Sequence, residues 1–350
     1  DRAEALAKLA VDEGGFGNYA DKVTKINRRV LGVLSDIRDV RTVGVIEEDH
    51  ERGLTKIAKP VGVVAALIPT TGPDATPPVK TLFALKGCNA IIVAPHPRTA
   101  ETTATVVKYM REACEQVGAP ADLVQVVAEP SLEATQELMR QADLVVATGG
   151  AGMVRAAYSS GTPAYGVGVG NAVHVVDETA DLDDAADAIV AAKTFDWATS
   201  CLADNAIVLH DDVYQPVVDR LLARGGYLCS AEEKSALQQA MWKEGSSVPR
   251  PDVVAKSASV IAEKAGFSVP DGTTFLMVPE EGAGPEYPFS GEKLSVVLAV
   301  VGVVFSLAAA LAGFLLFKVA PIVLVGYLVV RFLAPRHKRI SSVERKWLEG

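Results

Sequence analysis

Beyond about residue 60, the hydrophobic positions of this chain alternate between two kinds of spacing. Short unbroken runs of Val, Ile, Leu and Ala predict buried β-strands, and longer segments with an apolar stripe predict α-helices. The strands are expected at 61–69, 90–97, 122–128 and 142–150, and the helices at 77–89, 100–118 and 131–141. Before this region, residues 1–33 have a helical pattern and residues 41–57 alternate as a β-hairpin does.

Unbroken apolar strands separated by helices are typical of a parallel sheet that is covered on both faces. The expected fold class is therefore α/β, with a doubly wound nucleotide-binding domain whose ligands lie outside the carboxyl ends of the strands. In the loop after the fourth strand, Gly149 and Gly150 lead from a strand into a helix, a geometry that can bind phosphate. A glycine-rich turn of this kind is also common as a simple tight connection, and no strict G-x-G-x-x-G sequence is present.

A second α/β unit follows. Its strands are expected at 172–176 and 205–210, and its helices at 182–193 and 213–225. A lone cysteine, Cys201, stands just before the second of these strands. The pattern favours a dinucleotide-binding domain at 1–170 and a partial catalytic domain at 171–294.

The composition of the chain changes at residue 295, where a run of 23 uncharged residues begins, 295–317. A helix of that length spans roughly 34 Å, enough for the hydrocarbon core of a bilayer. A second apolar run continues to about residue 334, and a basic tail, 335–350, follows. We expect a transmembrane hairpin at 295–334 with the basic tail in the cytosol. A single span, a buried core helix and an artificial junction are the alternatives.

Charge and cysteine content narrow the function classes. Lys and Arg number 34 against 43 Asp and Glu, and the formal net charge of −9 disfavours nucleic-acid binding. The four cysteines form no C-x-x-C pair and no cluster with histidine, so we expect neither a disulfide framework nor a metal site. The expected location is a cytoplasmic catalytic part that is anchored to a membrane at the C-terminus.

Five segments, in this order, resemble the aldehyde dehydrogenase superfamily, and more closely its CoA-acylating branch of sulfoacetaldehyde and acetaldehyde dehydrogenases. They are KPVGVVAALIPTTGP (59–73), ALKGCNAIIVAPHPRT (84–99), VVATGGAGMVRAAYSSGTPAYGVGVGN (145–171), TFDWATSCLADNAIVLH (194–210) and PFSGEKLSVVLA (288–299). The resemblance implies that Cys201 is the catalytic nucleophile. Without it, a lone cysteine is more often a small core residue.

The resemblance also implies the acyl acceptor. Hydrolytic members of the superfamily carry a glutamate base where this chain has Val167, and no carboxylate lies between Tyr158 and Val176. Because nothing there activates water, we expect CoA as the co-substrate and an acyl-CoA as the product.

A dinucleotide, NAD or NADP, is implied at several loops. By resemblance, the residues that bind it are Ile68, Pro69, Thr70 and Thr71 beside the nicotinamide and phosphates, His96 and Pro97 beside the adenosine ribose, Thr148, Gly149 and Gly150 at the pyrophosphate, and Glu292 at the nicotinamide ribose. Arg98 could favour the 2′-phosphate of NADP, but an exposed arginine is commonly just solvated. No metal is expected.

The chain departs from the family pattern in three places. Gly72 replaces an asparagine whose amide helps to hold the oxyanion, and the loss of one such donor typically costs about 10²–10³ in rate. The Cys201 backbone N–H could still serve as a donor. Trp197 replaces a small polar residue and either narrows the aldehyde pocket or packs in the core. After residue 300 the likeness ends, so we expect a C-terminally truncated module that lacks the subunit-bridging strand, with a homo-oligomer possible.

The function that these features favour is an acylating, NAD(P)-dependent aldehyde dehydrogenase acting on a small aldehyde and CoA. One alternative is a hydrolytic aldehyde dehydrogenase that finds its base elsewhere. The other is a non-catalytic, membrane-anchored remnant of the same fold. The sequence does not identify the aldehyde.

Overall fold

The computed structural model describes residues 2–246 and 248–303, and residues 1–302 form one compact unit. The helices are α1 Ala3–Gly14, α2 Tyr19–Arg38, α3 Thr76–Lys86, α4 Ala100–Gln116, α5 Leu132–Gln141, α6 Ala151–Tyr158, α7 Leu182–Thr194, α8 Asp211–Ala223, α9 Ala231–Met241 and α10 Ala258–Lys264. The strands are β1 Gly44–Asp49, β2 Leu54–Ala58, β3 Val63–Leu67, β4 Ala90–Ala94, β5 Val124–Val126, β6 Leu144–Thr148, β7 Ala164–Val167, β8 Ala172–Val176, β9 Asp204–His210, β10 Gly226–Leu228, β11 Phe275–Glu280 and β12 Val297–Val303.

The N-terminal region consists of two helices and a hairpin. Gly15 and Gly17 adopt left-handed φ angles of 68° and 72°, and they separate α1 from α2 within the predicted helical stretch. The predicted hairpin at 41–57 is confirmed, because β1 and β2 pair in antiparallel fashion.

The first sheet has the strand order β5-β4-β3-β6-β7, and every neighbouring pair in it is parallel. Alternate residues of β3 pack into different hydrophobic clusters on the two faces. Val64 and Ala66 pack with residues of α3 and α4, whereas Ala65 and Leu67 pack with Met139 of α5 and residues of α6. Side chains of a strand point alternately to the two faces, so this sheet is covered on both sides. The predicted α/β fold with parallel strands is confirmed.

The second sheet has the strand order β10-β11-β12-β9-β8. Strand β12 lies inside it, between β11 and β9, and residues 297–300 are almost completely buried. The prediction of a membrane helix that begins at residue 295 is therefore wrong, because the first part of that apolar run completes a buried sheet. A run rich in β-branched valine packs well on a pleated surface, and its backbone groups are paired by the neighbouring strands.

The rest of the predicted membrane hairpin, 304–334, and the basic tail, 335–350, lie outside the described residues. Within residues 2–246 and 248–303, the structure contains no helix that is both long and apolar enough to cross a membrane.

The two sheets are joined by a short direct crossing. Strand β7 ends at Val167 on the carboxyl edge of the first sheet, and β8 begins at Ala172 on the amino edge of its own sheet. Residues 168–171 alone make this connection, so the carboxyl edge of the first sheet adjoins the amino edge of the second. Any site that uses loops from both sheets must lie at this junction.

Candidate active site

The three loops assigned to the dinucleotide follow adjacent strands of the first sheet. Residues 68–71 follow β3, His96 and Pro97 follow β4, and Thr148 closes β6. Because β4, β3 and β6 are parallel neighbours, their carboxyl ends lie side by side. The structure thus gathers these residues at one edge, while their roles as cofactor ligands stay a prediction.

The turn at Gly149 and Gly150 has the shape that a phosphate site needs. The Gly149 N–H donates to the Val167 carbonyl at 3.1 Å, which fixes the turn against β7. Apart from its two chain neighbours, no described residue has an atom within 4 Å of a Cβ built on Gly150. Gly150 has φ −64° and ψ 163°, a conformation that any residue can adopt. Helix α6 begins at the next residue, and the N–H groups of a first helical turn have no partner within the helix. The backbone conformation therefore does not require glycine at position 150, and room for a phosphate to approach the N–H groups explains this glycine better.

The loop at His96 is tied to the N-terminal segment. His96 Nδ1 accepts the Arg98 N–H at 3.1 Å, and desolvation of the ring, with the nearby Arg98 charge, lowers the pKa of His96. The Arg98 guanidinium lies 4.9 Å from the centre of the Phe16 ring and donates to the Gly14 carbonyl at 3.5 Å. These contacts occupy Arg98, which weakens the argument that it selects NADP.

Cys201 lies on the amino edge of the second sheet, in a turn that precedes β9. The Ala203 N–H donates to the Ser200 carbonyl at 3.0 Å, which closes a β-turn with Cys201 at its second position. Cys201 is half-buried, and its backbone N–H has no acceptor among the described residues. Within the described part of the chain, a free N–H donor is therefore available at the half-buried Cys201.

Gly170 brings Cys201 and Glu292 together. The Gly170 N–H donates to Glu292 Oε1 at 3.1 Å, and a Cβ on Gly170 would lie 2.9 Å from the Cys201 carbonyl oxygen and 3.8 Å from Cys201 Cβ. Burial raises the pKa of Glu292, and the hydrogen bond from Gly170 opposes this shift. Two residues assigned from distant motifs thus meet where the chain crosses between the sheets, and only glycine fits between them.

The Glu292 loop is held by the next residue, which the sequence reasoning missed. Lys293 is fully buried, and its ammonium donates to the carbonyls of Asn205 at 2.8 Å, Gly291 at 3.0 Å and Phe289. Burial places the pKa of Lys293 well below its usual range. The only signal in the sequence was the position of this lysine directly after the glutamate of SGEKLS, because its partners are backbone carbonyls, which any residue type can supply.

Two of the departures from the family pattern can be located. A Cβ on Gly72 would lie 2.7 Å from Thr76 Oγ1, so an asparagine at this position needs the Thr76 hydroxyl to move. Trp197 is partly buried against the hydrophobic core of the second sheet. Of the two alternatives for this ring, the structure therefore favours packing in the core.

The other three cysteines differ from Cys201 in exposure. Cys88 is exposed, whereas Cys114 and Cys229 are buried. Burial raises the pKa of Cys229 to about 12. At neutral pH the Cys229 thiol is therefore protonated and unreactive.

Comparison with known proteins gives a consistent family. The sequence model of the aldehyde dehydrogenase family matches residues 1–233. A sulfoacetaldehyde dehydrogenase (acylating) from Bilophila wadsworthia is 48% identical over 300 residues, which cover 84% of this chain and 64% of that protein. The chain spans between 61% and 64% of the length of the three curated relatives that are 48% identical to it.

Solved structures are similar over the same part of the chain. An acetylating aldehyde dehydrogenase from Geobacillus thermoglucosidasius matches with a TM-score of 0.82 and 42% identity, over 86% of this chain and 67% of that one. A propionaldehyde dehydrogenase from Rhodopseudomonas palustris with bound propionyl-CoA matches with a TM-score of 0.74 and 29% identity, over 86% of this chain and 66% of that one.

Replacement of Gly170 tests the close approach at the crossing. We expect Gly170→Ala to lower the free energy of unfolding by about 1–3 kcal/mol, because its Cβ is forced against the Cys201 carbonyl. The matched control is Gly168→Ala, whose Cβ makes an ordinary 3.6 Å contact with Val154, and its effect should be below about 0.5 kcal/mol. Urea unfolding curves of the two variants measure the difference, and equal stabilities would contradict the packing described.

Proposed function

We propose that this chain, which belongs to the aldehyde dehydrogenase family, oxidises a small aldehyde to an acyl-CoA through a thioester on Cys201. The observation that carries this proposal is the approach of Cys201 and Glu292 through Gly170, beside the loops of the first sheet. The printed names of the relatives, which are acylating and acetylating enzymes, support the acyl-CoA product.

The chemistry assigns a role to the thiol of Cys201. Its thiolate forms a bond to the aldehyde carbon, and the carbonyl oxygen becomes an oxyanion that the Cys201 N–H can receive. Bound NAD or NADP supplies the hydride acceptor for oxidation of this carbon to the thioester. The thiol of CoA then attacks the thioester carbon, loses its proton, and displaces the Cys201 thiolate as the acyl-CoA leaves. Aldehyde, CoA and the oxidised dinucleotide are consumed in equal amounts.

The residues that would hold the dinucleotide are those at the edge of the first sheet. The turn at Gly149 and Gly150 fits the pyrophosphate, because it leads into the N-terminus of α6 and a Cβ on Gly150 would have no described residue other than its chain neighbours within 4 Å. Residues 68–71 would lie beside the nicotinamide end, since Lys25 joins Thr71 to the segment that leads to Cys201. Glu292 would hold the nicotinamide ribose.

Hydrolysis is the second candidate, and one contact favours it. Val167 offers no base, but the Glu292 carboxylate approaches Cys201 and has a raised pKa, as a general base needs. In the structure Glu292 Oε1 is occupied by the Gly170 N–H. This occupation, and the names of the relatives, favour CoA over water as acceptor.

Product analysis decides the acceptor. With acetaldehyde, propionaldehyde or sulfoacetaldehyde as substrate, we expect reduced dinucleotide and acyl-CoA to form together, and only when CoA is present. Cys201→Ser should lower turnover by about 10³-fold or more, because it removes the attacking thiolate. Mass spectrometry of the products and absorbance of the reduced dinucleotide measure both. Carboxylic acid formed without CoA would establish hydrolysis, and no product from any aldehyde would favour the non-catalytic alternative.

Substitution at the glycine turn tests the cofactor site. We expect Gly150→Ala to raise the KM for the dinucleotide several-fold while the melting temperature changes little, because the new methyl group meets no protein atom. Gly32→Ala is the control, since a Cβ there also meets nothing within 4 Å but Gly32 lies on α2. An unchanged KM in Gly150→Ala would remove the turn from the cofactor site.

Restoring the family's asparagine tests the oxyanion argument. Thr76→Ala is introduced with Gly72→Asn, because the Thr76 hydroxyl occupies the position that the new Cβ requires. In the double variant we expect kcat to rise by up to about 10²-fold relative to Thr76→Ala alone, as one donor is regained. If kcat does not rise while the variant stays folded, Gly72 does not mark a missing oxyanion donor.

A further inference from the structure

The segment that leads to Cys201 has an unusual backbone. Asp196, Trp197 and Ala198 are consecutive non-glycine residues with left-handed φ angles of 51°, 49° and 59°. L-residues avoid this conformation because Cβ approaches the following carbonyl oxygen. Three such residues in a row persist only where their surroundings hold them.

Asp196 supplies that hold. Its side chain is fully buried, and its Oδ2 accepts from Lys25 Nζ at 2.5 Å, Thr199 Oγ1 at 2.5 Å and Lys22 Nζ at 3.3 Å. Its Oδ1 accepts the Asn18 N–H at 3.0 Å. One carboxylate thus ties the segment before Cys201 to the start of α2.

The fit against the N-terminal helices is close at a second point. A Cβ on Gly17 would lie 1.9 Å from Asp196 Oδ1, so the junction between α1 and α2 is shaped around this carboxylate. The Asp196 backbone N–H donates to Asp21 Oδ2 at 2.8 Å. The side chain and the backbone of Asp196, the first residue of the left-handed segment, are thus both held by the N-terminal region.

Lys25 extends the connection to the other half of the site. Its ammonium also lies 3.4 Å from Thr199 Oγ1, two residues before Cys201, and 3.5 Å from the Thr71 carbonyl oxygen, in the loop proposed for the nicotinamide end. Asp74 is fully buried as well, and it opposes the desolvation that lowers the pKa of Lys22. Two lysines and two aspartates therefore balance their charges away from water, as buried ions require.

We propose that Lys25 and Asp196 are positioning residues that hold the Cys201 turn against the 68–71 loop, and so set both the exposure of the Cys201 thiol and its turnover. The effect on turnover rests on the proposed function, whereas the effect on exposure does not. Neither residue touches the reacting atoms in this role. They act through Thr199 and the left-handed segment.

The four cysteines allow a direct test in the full chain. Variants Lys25→Met, Asp196→Asn and the double variant are treated with iodoacetamide, and alkylation of each cysteine is followed by peptide mass spectrometry. Exposed Cys88 is the reference for reagent, and buried Cys114 and Cys229 report global opening. Lys234→Met is the matched control, because Lys234 makes a partly buried pair with Glu280 at 2.9 Å, at the end of β11.

We expect each single variant to speed alkylation of half-buried Cys201 by at least about 5-fold while Cys88, Cys114 and Cys229 are unchanged. The double variant should be no faster than either single variant, because the two residues act as one unit. Lys234→Met should leave the alkylation rate of Cys201 unchanged. If Lys25→Met does not fold, Thr199→Val is used instead. It removes one bridging hydroxyl, and it should also speed the alkylation of Cys201.

Turnover gives the second readout, with kcat for the aldehyde expected to fall more than KM rises. A Cys201 rate at or below that of the wild-type chain overturns the proposal. Effects that multiply in the double variant would also overturn it, because they indicate that the two residues act independently. Faster alkylation of Cys114 and Cys229 would do the same, because it indicates global opening. Coupled alkylation without any CoA-dependent turnover would leave this inference standing and remove the proposed function, while normal turnover without coupling would do the reverse.

Discussion

The hydrogen bond from the Gly170 N–H to Glu292 marks the constraint on which the site depends, the meeting of three chain segments at one point. Strands β8, β9 and β12 are neighbours in one sheet, and each is preceded by one member of the group Gly170, Cys201 and Glu292. A side chain at 170 would separate them, since its Cβ would be 2.9 Å from the Cys201 carbonyl oxygen. The identity of one glycine thus allows the candidate nucleophile and the candidate ribose ligand to share a site.

Buried lysines recur as the means of holding loops in this molecule. Lys293 binds three carbonyls around the Glu292 loop, and Lys80 donates to Leu67 at 2.7 Å and Val146 at 2.9 Å, next to the ends of β3 and β6. Burial lowers the pKa of Lys80, and likewise that of Lys193, to about 7. An amine on a long flexible stem can reach backbone carbonyls where burial excludes water, and its hydrogen bonds offset part of the cost of burying it. The arrangement thus holds backbone segments of both sheets in place.

In the proposed reaction, the acyl acceptor depends on which groups can activate a nucleophile near the thioester. Residues 164–170, which form β7 and the start of the crossing, are glycine and hydrophobic residues only, and Val167 has no side-chain group that could act as a base. Glu292 is near, but its Oε1 accepts the Gly170 N–H. A thiol needs less assistance than water to attack a thioester, because far more of it is ionised at neutral pH. The same scaffold can thus favour CoA simply by withholding a base.

The sequence by itself determined most helices and strands of the first sheet, and it predicted the sheet edge at which ligands are proposed to bind. Unbroken apolar strands between helices indicated a parallel sheet, and the resemblance of the ordered motifs to a known family predicted Cys201, the glycine turn and Glu292 as site residues. The sequence did not reveal that residues 297–303 form a central strand, β12, rather than the start of a membrane helix. The apolar run 295–303 suits both environments, and only the neighbours β11 and β9 distinguish them. It also could not reveal the left-handed segment at Asp196 or its bond to Lys25, which lies 171 positions away. Periodicity records which face of an element is buried, whereas the tertiary structure decides which distant polar groups meet there, since those pairings follow from packing and leave no local pattern.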